Sequence, residues 1–93
     1  MPEKQKTILL VEDEGLIALM EKAMLKRHGF NVIVAASGGK AINTVQNTQN
    51  IDLILMDINL GKGIDGIEAA EIILKDHDIP VLFLSSHTQP EVV

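Results

Sequence analysis

Polar side chains close three of the four short apolar runs in this 93-residue sequence. Glu12 and Asp13 follow the first run, Asp57 closes the third, and Ser85 follows the fourth. The carboxyl ends of parallel strands lie along one edge of a sheet, and ligands of such folds bind at that edge. If the runs are parallel strands, residues from distant parts of the chain therefore meet at one site.

The three carboxylates of this set would repel one another at neutral pH, so they would either raise a pKa or hold a cation. An all-oxygen set without His or Cys favours a hard ion, Mg²⁺ over zinc. A carboxylate beside Mg²⁺ can also attack phosphorus, because the ion offsets the charge of the incoming phosphoryl group. The residue types therefore indicate a magnesium site with a potential nucleophile.

The elements that must position these residues alternate along the chain. Four runs have the length of strands, at residues 7–11, 30–35, 52–57 and 81–84. They are apolar almost throughout, which is typical of strands buried on both faces of a parallel sheet. The intervening segments have helical spacing, and the first is expected to bury Ile17, Met20 and Met24. The order β-α-β-α-β-α-β predicts a parallel sheet with helices on both faces and right-handed crossovers.

Composition excludes several classes of function. Eight Lys and Arg against thirteen Asp and Glu give a net charge of −5, which argues against a nucleic-acid or anionic-membrane surface. Two Phe without Trp or Tyr leave almost no platform for stacking bases. The absence of Cys excludes disulfides, thiolate metal sites and a Cys nucleophile. No apolar run approaches the roughly 20 residues of a membrane span, so we expect one acidic, cytoplasmic domain over 1–93.

Three motifs resemble the receiver domain of two-component response regulators. They read ILLVEDE at 8–14, LILMDINL at 53–60 with Asp65-Gly66 following, and PVLFLS at 80–85. The resemblance covers nearly the whole chain. It implies an α/β fold, a flavodoxin-like doubly wound parallel sheet of strand order 2-1-3-4. It also implies that the fifth strand and the last helices are absent from this chain, so that the receiver domain is incomplete at its carboxyl end.

The resemblance implies a role for each polar residue of the set. Asp57 would accept a phosphoryl group from a histidine kinase or a phosphotransfer protein. Glu12, Asp13, Asp57 and the backbone carbonyl of Asn59 would hold Mg²⁺. Ser85 would contact the phosphoryl oxygens and couple phosphorylation to a change of shape. Such a domain regulates an output and is not an enzyme beyond its own phosphorylation and dephosphorylation.

The sequence departs from the family pattern in two respects. The segment after Asp57 reads LGKGIDG at 60–66, where the family usually has a proline and one residue fewer. Its glycines predict a loose loop. The invariant lysine of the family belongs to the fifth strand, and neither Lys62 nor Lys75 stands in the motif that would give it that role.

Other functions stay open from the residues. A pseudo-receiver would use the same fold as a protein-interaction module without phosphorylation. An aspartate-nucleophile phosphatase would normally have a second Asp two residues after the nucleophile, where this chain has Asn59. The uncovered fourth strand further predicts a homodimer or a swapped dimer of this chain, with no direct nucleic-acid or membrane partner.

Overall fold

The structure is a computed structural model, and it describes residues 5–61 and 63–84. The elements are β1 (Thr7–Val11), α1 (Gly15–Arg27), β2 (Asn31–Ala35), α2 (Gly38–Asn47), β3 (Leu53–Asp57), α3 (Gly66–Asp76) and β4 (Val81–Leu84). This alternation confirms the predicted element order. No helix in the described part of the chain is long and apolar enough to cross a membrane.

The four strands form one parallel sheet in the order β2-β1-β3-β4. The predicted doubly wound sheet is thereby confirmed. The chain moves outward from β1 to β2 and then returns to the other side of β1 with β3. The strand order therefore switches between β1 and β3, and the crevice at their carboxyl ends is the expected ligand site of such a sheet.

One face of the sheet, which we call the α2/α3 face, carries the hydrophobic core. Its buried cluster consists of Leu9, Val11, Ala35, Ala41, Val45, Ile51, Ile54, Met56, Leu60, Ala69 and Ile73. Both covering helices begin at a side-chain cap. Ser37 Oγ accepts from the Lys40 N–H at 3.1 Å, and Asp65 Oδ1 accepts from the Glu68 N–H at 2.8 Å. Capping and burial together define where these two helices start.

The opposite face, which we call the α1 face, is covered by α1, which packs on β1 and β2. The prediction that Met20 and Met24 are buried is wrong, since their side chains are 64% and 46% exposed. The less exposed side of α1 instead contains Ala18, Glu21 and Leu25, at i, i+3 and i+7. Apolar residues occur on most sides of this helix, so its periodicity does not select a single rotation.

Candidate functional site

Three of the predicted site residues meet at the carboxyl ends of β1 and β3. Glu12, Asp13 and Asp57 each offer one carboxylate oxygen, and these oxygens all lie within 4.8 Å of one another. The pairing of Val11 with Met56 places the two strand ends side by side. The strand register thus brings together residues that are more than forty positions apart in the sequence.

Two of these carboxyl groups are buried and the third is not. Asp57 is 1% exposed and Glu12 is 2% exposed, whereas Asp13 is exposed. The Glu12 N–H donates to the carbonyl oxygen of Ala35 at 3.0 Å, which extends the pairing of β1 with β2 by one residue. Strand alternation therefore directs Glu12 and Asp57 toward the α1 face. Asp13, next in sequence to Glu12, completes the set from the solvent side.

Burial raises the pKa of Glu12 to about 7. The N–H of Glu14, which donates to Glu12 Oε2 at 3.2 Å, opposes that shift. The negative charge of Asp57 and a hydrogen bond between the two carboxyl groups raise the pKa of Glu12 further. Two adjacent carboxyl groups that share a proton provide a place where a cation could replace the proton.

A fourth carboxyl group, that of Glu21 on α1, belongs to the same electrostatic neighbourhood. Burial raises its pKa, and so does the negative charge of Asp57. The Oε1 atom of Glu21 is buried and has no hydrogen-bond partner among the residues that the structure describes. Sequence reasoning did not select Glu21, because its position depends on the rotation of α1 about its axis.

The remaining predicted residues have different outcomes. The backbone N–H of Asn59 donates to Asp57 Oδ1 at 3.1 Å and orients that carboxylate. The Asn59 carbonyl as a metal ligand stays a prediction. Ser85 and Lys62 lie outside the described residues. Lys75 lies in the last turn of α3 and is exposed.

The segment between β3 and α3, expected to be loose, has specific anchors. Leu60 is buried in the core, and the Gly66 N–H donates to the Ile58 carbonyl oxygen at 3.2 Å. A Cβ atom on Gly66 would collide with the carbonyl oxygen of Asp57, so glycine allows α3 to begin directly against the end of β3. At this position the glycine serves close packing around Asp57.

The three clustered carboxylates fit a hard divalent cation. Every donor is an oxygen, and Mg²⁺ in proteins is held by one or two carboxylates together with water and phosphate oxygens. Burial, and to a smaller extent the negative charge of Asp57, raises the pKa of Glu12, and a divalent ion would offset the negative charge of the two ionised carboxyl groups. The residues present are therefore suited to Mg²⁺.

Comparisons with known proteins agree with this site and fold. Residues 8–93 match the family model of the response regulator receiver domain. The chain is 36% identical over 83 residues to the phyllosphere-induced regulator PhyR of Methylorubrum extorquens, which covers 88% of this chain and 31% of PhyR. It is 42% identical, with a TM-score of 0.85, to the N-terminal domain of a response regulator/sensory box/GGDEF three-domain protein from Carboxydothermus hydrogenoformans, over 95% of this chain and 70% of that one.

A further solved structure is that of the response regulator TrrA from Thermotoga maritima in complex with Mg²⁺ and BeF. Its TM-score is 0.80 at 32% identity, over 90% of this chain and 72% of that one. The chain spans between 31% and 34% of the length of the first curated relatives that it matches. The family match, the sheet order and the acidic strand ends lead to one conclusion: the chain belongs to the response regulator receiver domain family.

Proposed function

We propose that this receiver domain accepts a phosphoryl group on Asp57 in a Mg²⁺-dependent reaction and switches conformation to regulate an output. The observation that carries the proposal is the convergence of the Glu12, Asp13 and Asp57 oxygens within 4.8 Å. The complex of TrrA with Mg²⁺ and BeF supports it, because that relative binds the ion on the same fold.

Each residue of the site has a distinct part in the proposed reaction. A carboxylate oxygen of Asp57 forms the new bond to phosphorus, while the bond from phosphorus to the donor breaks and the leaving group departs with that electron pair. The Asn59 N–H holds Oδ1 of Asp57 and so restricts the orientation of the carboxylate. Glu12 and Asp13 would hold the Mg²⁺, which offsets the charge on the phosphoryl group when bound.

The proposed phosphodonor is a histidine kinase or a phosphotransfer protein. The proposal also includes a cytoplasmic location for the domain, where such donors act. Phosphorylation would replace the single negative charge of the Asp57 carboxylate with the roughly two negative charges of a phosphoryl group, beside the buried carboxyl group of Glu12. Without the cation, that charge would be strongly disfavoured next to Glu12, which is 2% exposed. A requirement for Mg²⁺ therefore follows from the electrostatics of the site.

The proposal is tested by incubating the chain with acetyl phosphate, with and without Mg²⁺, and measuring the intact mass. We expect one phosphoryl group in the wild type with Mg²⁺ and none in Asp57→Asn. Asp52→Asn is the matched control, because Asp52 is exposed at the other end of β3, where its carboxylate accepts from the Thr7 N–H. Labelling of Asp57→Asn, or labelling of the wild type without Mg²⁺, would contradict the proposal.

A second measurement separates the proposed function from its alternatives. Titration with Mg²⁺, followed through backbone amide shifts, should perturb residues 12, 13, 57 and 59 in the wild type and not in Asp57→Asn. A folded chain that neither binds Mg²⁺ nor accepts phosphate would contradict the proposal for this chain and support the pseudo-receiver alternative. Turnover of a generic phosphate ester would instead support a phosphatase.

A further inference from the structure

Gly61, in the loop after β3, lies directly against Asp13. Its backbone φ is +71°, and a Cβ atom built on it would lie 2.9 Å from Asp13 Oδ2. Real Cβ atoms essentially never approach another heavy atom that closely, so a side chain at this position would require something to move. Gly61 is thus a neighbour of the acidic cluster that neither the motif nor the proposed chemistry accounts for.

The two residues that precede Gly61 in the sequence hold the loop backbone in place. Leu60 is 3% exposed within the core cluster, and the Asn59 N–H is bonded to Asp57 Oδ1. Asp13, in contrast, is exposed, and the atom facing Gly61 is at the end of its side chain. If a Cβ atom were added at residue 61, the Asp13 carboxylate would therefore move before the loop did.

We propose that Gly61 is a positioning residue for Asp13. The absence of a Cβ atom at residue 61 leaves the space in which the Asp13 carboxylate stays within reach of Glu12 and Asp57. A side chain there would turn Oδ2 of Asp13 out of the cluster. As a consequence for metal binding, which rests on the proposed function, Gly61 keeps the affinity for Mg²⁺ high although it offers the ion no side chain.

Gly63 in the same loop provides a matched control. Its φ is +88°, so alanine there has the same kind of left-handed backbone cost, but a Cβ atom would meet nothing within 4 Å. The variants G61A and G63A therefore share the backbone strain and differ in the contact with Asp13. Any effect of G61A that G63A lacks reports that contact.

The first measurement compares Mg²⁺ affinity and stability in the full 93-residue chain. We expect G61A to raise the dissociation constant for Mg²⁺ roughly tenfold or more. This is the size of effect that is typical of losing a group that orients a metal ligand. G63A should leave it within about twofold of wild type, while the urea midpoints of the two variants fall by similar amounts. Equal weakening of Mg²⁺ binding in both variants would attribute the effect to strain and overturn the proposal.

The second measurement is independent of the metal. Three-bond couplings give the χ1 rotamer population of Asp13 in the metal-free proteins, and we expect it to change in G61A and not in G63A. An unchanged Asp13 rotamer in G61A would overturn the proposal. If the Asp13 rotamer changes in G61A but the wild type binds no Mg²⁺, the positioning role of Gly61 is supported and the proposed function is contradicted.

Should G61A fail to fold, G61N and G63N replace the pair, because Asn tolerates a left-handed backbone better than Ala. Asn still carries a Cβ atom, so G61N meets the same Asp13 oxygen. The expected results and the contradicting results for Mg²⁺ affinity and for the Asp13 rotamer stay the same.

Discussion

The α2/α3 face and the α1 face of the sheet differ in what they bury. The α2/α3 face buries a continuous apolar cluster from β1, β3 and both covering helices. The α1 face buries Ile8 and Leu10 beneath a single helix, and it also receives the carboxyl groups of Glu12, Asp57 and Glu21. The comparison shows that one face buries an apolar cluster, whereas the other also holds crowded carboxyl groups.

At β4 both faces of the sheet are partly open where the structure describes them, since Leu82 on the α1 face and Phe83 on the α2/α3 face are 55% and 43% exposed. Leu82 is exposed to this extent although its neighbours Leu55 and Leu84 are at least half-buried on the same side. On the α2/α3 face, Val81 of the same strand packs against the core cluster. The homodimer or swapped dimer expected from the fourth strand stays a prediction.

The largest expected effect is on the free energy of unfolding, when a leucine is replaced by alanine on each of the two faces. Leu9→Ala removes a fully buried side chain from the α2/α3 cluster and should lower the free energy of unfolding by about 2–5 kcal/mol. Leu82→Ala makes the same change on the α1 face, where the side chain is half-exposed, and should cost less than about 1 kcal/mol. Urea unfolding of both variants measures the difference. Equal losses would mean that Leu82 contributes as much to stability as the fully buried Leu9, which its exposure contradicts.

The next effect is a pH dependence that the α1 face alone should produce. The pKa of Glu12 is raised in the folded state to about 7 from 4.5, so the folded chain binds the proton more tightly than the unfolded chain. Its stabilising contribution is present below about pH 4.5 and is lost as the pH rises through about 7. The free energy of unfolding without Mg²⁺ should therefore fall over this range by on the order of 2–3 kcal/mol.

Glu12→Gln is the control for this pH dependence, because its amide does not titrate. We expect the urea midpoint of Glu12→Gln to vary much less between about pH 5 and about pH 8 than that of the wild type. Saturating Mg²⁺ should also flatten the wild-type profile, since the ion stabilises the ionised carboxylates. A wild-type profile that rises with pH over the same range would contradict the electrostatic description of the site.

The smallest effect concerns the buried oxygen of Glu21. Glu21→Met keeps the length of the side chain and removes a buried carboxyl oxygen that has no hydrogen-bond partner among the described residues. We expect the free energy of unfolding to increase by about 1 kcal/mol, because an unpaired buried polar atom is destabilising. Glu71→Met on the exposed side of α3 is the matched control and should change stability little. A loss of stability in Glu21→Met would mean that this carboxyl group has a favourable partner.

Much of the fold could be predicted because the strands are continuous apolar runs and the segments between them have helical spacing. At the start of α2, the Ser37 hydroxyl accepts from the Lys40 N–H and so fixes the beginning of that helix. The rotation of α1 could not be predicted. Leu16, Leu19, Met20 and Met24 are as apolar as the residues that face the sheet, so composition does not choose the buried side.

The sequence by itself determined the strand ends and therefore the meeting of Glu12, Asp13 and Asp57, because parallel strands in a known order bring their carboxyl ends to one edge. Only the tertiary structure decided that the carboxyl group of Glu21 lies within electrostatic reach of Asp57 and that Gly61 lies against Asp13. The physical reason is that helix rotation and loop closure depend on packing across the whole fold. Local residue patterns do not contain that information.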